Sequence, residues 1–204
     1  MVVLIDFLDF AGTAAFATSG ALLAARKRLD IIGFVFIANI TGIGGGTLRD
    51  LLLDTPVFWL DQWHYVTTCT VAAMITYFAS RSINRGSKAL LWADAVGMAL
   101  FSVLGAQKAT ALGMSIPVAA IMGMFSACVG GIIRDVILNE VPMVFQREVY
   151  ITASLVGALG YSVSATLFGF APLFCILAGC VTAFAVRALA IAFKLSLPAH
   201  KGIE

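Results

Sequence analysis

The sequence predicts an all-α integral membrane protein of seven transmembrane helices, built as two inverted three-helix repeats plus a seventh helix. Three observations carry this reading. The 204 residues are 61% hydrophobic and 12% charged, with a mean hydropathy of +1.00, whereas an average soluble chain is about half apolar and about a quarter charged. Seven apolar stretches approach the roughly 20 residues needed to cross about 30 Å of hydrocarbon. Rare polar positions recur at an offset of 85 residues. This composition excludes a cytosolic enzyme, a nucleic-acid binder and a disordered tail, and a formal charge of +2 is too small to steer a polyanion.

The spans are 4–25, 31–53, 63–80, 89–108, 116–138, 149–168 and 172–194, followed by a tail at 195–204. The first carries Asp6 and Asp9 with no positive stretch before it, so it is expected to be a retained helix rather than a signal peptide. Trp59, Trp63 and Tyr65, around the start of the third, read as interfacial anchors. Cys69, Cys128, Cys175 and Cys180 lie within apolar runs and read as small buried hydrophobes. With no C-x-x-C and isolated His64 and His200, no zinc cluster or redox pair is expected.

Orientation follows from lysine and arginine in the joints, because basic residues stay on the cytoplasmic side. Arg26, Lys27 and Arg28, then Arg81, Arg85 and Lys88, then Arg147, then Lys194 and Lys201 all fall on one side; only Lys108 falls on the other, where it could snorkel. The N-terminus is therefore expected outside and the C-terminus inside. Arg49, Arg134 and Arg187 remain within the bilayer, the last near enough to its cytoplasmic end to snorkel.

Residues 4–80 and 89–168 form the repeats. Asp9 falls on Asp94, Gly12 on Gly97, Phe16 on Phe101, Gly20 on Gly105, Gly45 and Gly46 on Gly130 and Gly131, Arg49 on Arg134 and Asp50 on Asp135. Three spans per copy is an odd number, so the second copy enters from the opposite side, an arrangement common in solute-conducting membrane proteins. The seventh span lies outside the repeat and is expected to cover the bundle.

The second span reads Thr41-Gly42-Ile43-Gly44-Gly45-Gly46-Thr47-Leu48-Arg49-Asp50, and the fifth reads Ser126-Ala127-Cys128-Val129-Gly130-Gly131-Ile132-Ile133-Arg134-Asp135. Glycine runs weaken a helix, and freed carbonyls are tolerated at this depth only against protein or water. Both spans are thus expected to bend or unwind at one central site; single glycines would instead serve close packing. Intramembrane charges face a partner or a hydrated path. Neighbours in sequence diverge by about 100° on a helix, so crossed pairs, Arg49 with Asp135 and Arg134 with Asp50, are expected. The four residues read either as an interior clamp or as a gate on an ion path.

In the first and fourth spans Asp9, Gly12, Phe16 and Gly20, and Asp94, Gly97, Phe101 and Gly105, each share one helix face, with Thr13 and Ser102 adding hydroxyls. The phenylalanines read as core packing, with a dewetting constriction as the alternative.

Taken together, G-G-G-T-L-R-D ending at Asp50, G-G-I-I-R-D ending at Asp135 and the paired D-x-x-G-x-x-x-F-x-x-x-G stripes resemble the prokaryotic trimeric intracellular cation (TRIC) channels, also known by a glycine-transporter-type domain. The resemblance covers roughly 4–168. It implies a homotrimer in the plasma (inner) membrane of a bacterium or archaeon, with a pore in each protomer that passes potassium and also sodium. It further implies helix bends at Gly44, Gly45, Gly46, Gly130 and Gly131, and a polar centre of Arg49, Asp50, Arg134 and Asp135. Asp9, Thr13, Phe16, Asp94, Phe101, Ser102, Thr41, Thr47 and Ser126 are secondary pore-facing candidates. No cofactor is expected; monovalent cations would be the permeant ions, and a bound lipid is compatible with the fold. The partners are the lipid bilayer and further copies of the chain. A secondary transporter of a small zwitterion such as glycine is the alternative, since inverted repeats serve transporters equally well. Without H-E-x-x-H, G-x-S-x-G or a nucleophile beside a base, an enzyme is not expected.

Overall fold

The computed structural model describes residues 2–80, 87–146 and 149–196. Arg81, Arg85, Arg147, His200 and Lys201, with the tail beyond residue 196, lie outside them. The described residues form eight α-helices: α1 (Val2–Arg26), α2 (Ile31–Leu52), α3 (Phe58–Asp61), α4 (His64–Ala79), α5 (Ser87–Ala111), α6 (Ile116–Ile137), α7 (Ile151–Thr166) and α8 (Pro172–Phe193). Seven of these are the anticipated long helices, and α3 is a single turn that composition did not signal.

Five of the seven (α1, α2, α5, α6 and α8) are long and apolar enough to cross a membrane. The third helix of each expected repeat is shorter than its expected span: α4 and α7 have 16 residues, about 24 Å at 1.5 Å per residue. At 63–80 the flanking Trp63 and Ser80 act as caps, and at 149–168 the chain turns away towards Gly169, whose φ is +60°.

Local chemistry sets the helix limits. Asp30 starts α2 by accepting a hydrogen bond from Gly33 N at 2.8 Å, satisfying one of the orphaned first-turn amides. Asp30→Ala should therefore lower stability by about 1 kcal/mol, read as an earlier thermal unfolding midpoint in mild detergent, with Asp30→Ser close to wild type. Both α2 and α6 end in the same closure, with Asp54 and Asn139 left-handed at φ 51° and 53°. Thr55 N then donates to Asp50 O at 3.0 Å and Glu140 N to Asp135 O at 2.8 Å, a Schellman motif at each end.

Two crossings organise the bundle. Where α1 meets α5, the Phe16 and Phe101 rings stack 5.5 Å apart, and a Cβ on Gly97 would sit 2.6 Å from the Phe16 ring. Where α2 meets α6, a Cβ on Gly45 would collide with the Ser126 carbonyl and one on Gly130 with the Thr41 carbonyl. α4 flanks α1 and α2, while α7 flanks α5 and α6, and α8 packs on α5 and α7. Phe7, Phe36, Phe78, Phe174, Val181 and Phe193 point outward and are exposed, an apolar exterior suited to lipid. The four cysteines are buried and unpaired.

Candidate functional site

Helices α2 and α6 stay helical through their glycines, so the expected unwinding does not occur. Close packing offsets the low helix propensity of glycine, as tertiary contacts commonly do. The contacts pair Gly45 with Ser126 and Gly130 with Thr41, an antiparallel register. Arg49 and Arg134 each lie six residues beyond the crossing midpoint in opposite directions, which puts them about 18 Å apart along the bundle. For that reason the crossed pairs Arg49–Asp135 and Arg134–Asp50 do not form. The expected single polar centre is two clusters, one towards each end.

At the end of α2, Arg49 Nε donates to Asp50 Oδ1 at 2.7 Å, and Lys108 Nζ donates to the same oxygen at 2.8 Å. Asp50 Oδ2 accepts from Phe58 N at 3.0 Å, and the Arg49 guanidinium lies 5.7 Å from the Phe58 ring centre. Gly46 makes room for that ring: a Cβ there would be 2.6 Å from it. Nearby, Trp59 Nε1 donates to Thr47 Oγ1 at 2.9 Å and Tyr65 OH to Asp9 Oδ2 at 2.7 Å. Asp9 feels the charges of Arg49, Lys108 and Asp50. Lys108 therefore pairs rather than snorkels, because a buried carboxylate is within its reach. Tyr65 is buried on Asp9 instead of anchoring the interface, while Trp63 is exposed.

At the end of α6, Arg134 Nε donates to Asp135 Oδ1 at 2.7 Å, and Asp135 Oδ2 accepts from Met143 N at 3.2 Å. Arg134 Nη1 also reaches Asp94 Oδ1 at 2.8 Å and Ser19 Oγ at 2.7 Å. Arg134 and Asp50 are 0% exposed, and Arg49 and Asp135 only 4% and 3%. Arg187 does not snorkel; it is 1% exposed, with its guanidinium 5.0 Å from the Tyr150 ring centre, a contact that compensates a desolvated cation.

The neighbouring Arg–Asp pairs close because the three-methylene arginine stem bends sideways across the 100° offset, bringing Nε to the aspartate. Each aspartate then uses its second oxygen to hold the turn that follows the helix. Residue type alone does not single out the amides of Phe58 and Met143, or Ser19. The equivalent positions of Phe58 and Met143, each eight residues past its aspartate, were the available signal.

The remaining candidates fall into three settings. Thr41 Oγ1 and Ser102 Oγ bond their own helix backbones. Gly44 and Gly131 leave room, with a Cβ meeting nothing closer than 3.5 and 3.6 Å. Thr13 Oγ1, Ser126 Oγ, Asp9 Oδ1 and Arg134 Nη2 are buried without a hydrogen-bond partner. Buried polar atoms of this kind call for water or an ion. Among the described residues, no group of His, Cys, Asp and Glu could hold a metal ion.

A lipid-facing helical bundle with ionised side chains neutralised inside it defines an all-α, multi-pass integral membrane protein. Residues 6–81 and 91–166 match the family model described as "Glycine transporter", with starts and ends both 85 residues apart. A UPF0126 membrane protein of Vibrio cholerae is 39% identical over 201 residues, 96% of this chain and 82% of that one. The UPF0126 inner membrane protein YadS of Escherichia coli K12 is 36% identical over 197 residues, 96% and 95% of the two chains. The solved TRIC trimeric intracellular cation channel orthologue of Rhodobacter sphaeroides superposes with a TM-score of 0.90 at 41% identity, covering 94% of this chain and 99% of that one. A prokaryotic TRIC channel solved in 0.5 M KCl gives 0.90 at 28% identity, covering 97% and 100%. The chain belongs to the prokaryotic TRIC family, the one that the glycine-transporter model also describes. Its structural neighbours are channels, not enzymes.

Proposed function

We propose that this chain is a passive cation channel that conducts potassium and also sodium through a path inside each protomer, between the α2-end and α6-end charge clusters. The observation that carries this reading is the set of unpartnered buried polar atoms, Thr13 Oγ1, Ser126 Oγ and Arg134 Nη2, between and at the clusters. A hydrated path would satisfy them. The similar solved TRIC trimeric intracellular cation channel orthologue of Rhodobacter sphaeroides supports the same class of activity.

The glycines of α2 and α6 act in this reading as the close crossing that shapes the path, and Arg49 and Arg134 with their aspartates as gates at its two ends. The halves 4–80 and 89–168 are inverted copies, with 172–194 as cover. Assembly as a homotrimer is supported by the likeness to the trimeric channel orthologue of Rhodobacter sphaeroides. The inner membrane is supported by the name of the Escherichia coli relative, and an N-terminus outside with a cytoplasmic C-terminus by the lysine and arginine distribution.

The family model's description favours one second reading, a transporter of glycine or a similar zwitterion. Proteoliposomes decide between them. Potassium flux that follows the membrane potential and saturates poorly is expected, and Arg49→Gln and Arg134→Gln should each change the conductance in planar-bilayer recording. Glycine uptake strictly coupled to a proton or sodium gradient, without single-channel steps, would overturn the channel. Conductance untouched by both substitutions would reduce the clusters to clamps.

A further inference from the structure

Residues 149–186 carry no aspartate, glutamate, lysine or arginine, and the turn between α7 and α8 falls in the middle of that run. Every residue from Leu167 to Phe174 is exposed, with Leu167, Phe168, Phe170, Leu173 and Phe174 among them. Phe168 and Phe170 stack at 5.6 Å and Phe170 meets Phe174 edge-on at 5.8 Å, a group of rings on the outside of the bundle. In water such an apolar run is an aggregation liability.

Successive helices alternate in direction, so this turn shares a side of the membrane with the connection between α2 and α4. The two differ in character. In that connection Asp54, Asp61, Gln62 and His64 are exposed, beside Trp59 and Trp63, a residue type of the membrane–water boundary, whereas leucine and phenylalanine favour the hydrocarbon. The α7–α8 turn also binds part of its own backbone, as a segment without water must. Leu167 N donates to Val163 O at 2.9 Å, Phe170 N to Ser164 O at 3.4 Å, and Cys175 Sγ to Phe170 O at 3.7 Å, while Pro172 has no amide to satisfy. With 16 residues, α7 falls about 6 Å short of the hydrocarbon thickness. The outward stripe of α8, Phe174, Leu177 and Val181, runs into the turn with no charge between them.

We propose that Leu167–Phe174 is embedded in the bilayer, its side chains docked among the acyl chains of one leaflet below the headgroups, so that α7 and α8 are joined inside the hydrocarbon. The proposal stands independently of the ion path, so its failure and the failure of the channel reading are separable. Phe168→Cys and Asp61→Cys of the full-length protein are compared in phosphatidylcholine vesicles, with a charged maleimide present on both faces of the membrane. Both side chains are exposed, so the fold tolerates the changes; the native cysteines are buried, and the unsubstituted protein gives the background. Phe168→Cys should react at least about tenfold more slowly than Asp61→Cys, because a thiol in apolar surroundings stays protonated. A nitroxide attached at position 168 in detergent, before reconstitution, should collide more with oxygen, which concentrates in hydrocarbon, than with a water-soluble nickel chelate. Equal maleimide rates, or nickel collisions exceeding those of oxygen, place the turn in water and overturn the proposal. A nitroxide shielded from both and broadened by that of a neighbouring copy assigns the turn to a contact between chains and overturns it equally.

Discussion

Gly45→Ala should sharply reduce the amount of folded protein, although it adds a single methyl group. The new Cβ would fall on the carbonyl of Ser126, a backbone atom in the middle of α6 that no rotamer change can move aside. Overpacking of a core costs about 1–3 kcal/mol and occasionally more, and because two helices must separate here the upper end applies. Gly130→Ala should behave alike, since its Cβ would meet the Thr41 carbonyl. Gly160 is the control: it is helical, but a Cβ there meets nothing within 4 Å. Gly160→Ala should be neutral or gain up to about 1 kcal/mol of helix propensity. Unfolding in mild detergent, followed by circular dichroism, measures all three. A Gly45→Ala midpoint equal to that of Gly160→Ala would show that the α2–α6 crossing is not tight.

Arg134→Leu should cost about 3–5 kcal/mol, because it leaves the carboxylates of Asp94 and Asp135 buried with their common cation removed. Arg49→Leu should cost clearly less. Asp50 would keep Lys108 at 2.8 Å, and that lysine is 31% exposed at its side chain, so solvent shares the load. Adding Asp94→Leu to Arg134→Leu should restore part of the loss by removing one of the stranded charges. Equal destabilisation by the two arginine substitutions, measured in the same unfolding assay, would contradict the role given to Lys108.

These expectations mark how far the sequence could be read. Hydropathy and the 85-residue offset were enough for seven helices, because lipid imposes the length and glycine, arginine and aspartate are rare enough in hydrocarbon to align. The interior of the pairs was harder. Arg49 and Asp50 were separated by the rule that adjacent residues diverge, a statement about Cβ directions that does not account for the reach of an arginine stem. Gly45 and Gly130 suggested breaks because propensity treats a helix alone, whereas each is fixed by a facing carbonyl. Lys108 and Arg187 looked like snorkelling cations because periodicity reports depth and not the carboxylate or aromatic ring that waits nearby. The repeat itself obscured one fact: position 108 has no cationic counterpart, since 85 residues earlier stands Leu23.

The shortness of α4 and α7 has a consequence for the surrounding membrane. Each offers about 24 Å of helix to a hydrocarbon layer of about 30 Å. α4 lies on the flank of α1 and α2, and α7 on that of α5 and α6, so the mismatch acts on both sides of the chain. Lipid next to these faces thins, flanking side chains reach outward or copies pack together, each at a cost of fractions of a kcal/mol per ångström of mismatch. Membrane thickness thereby becomes a variable that pulls on both halves of the molecule together.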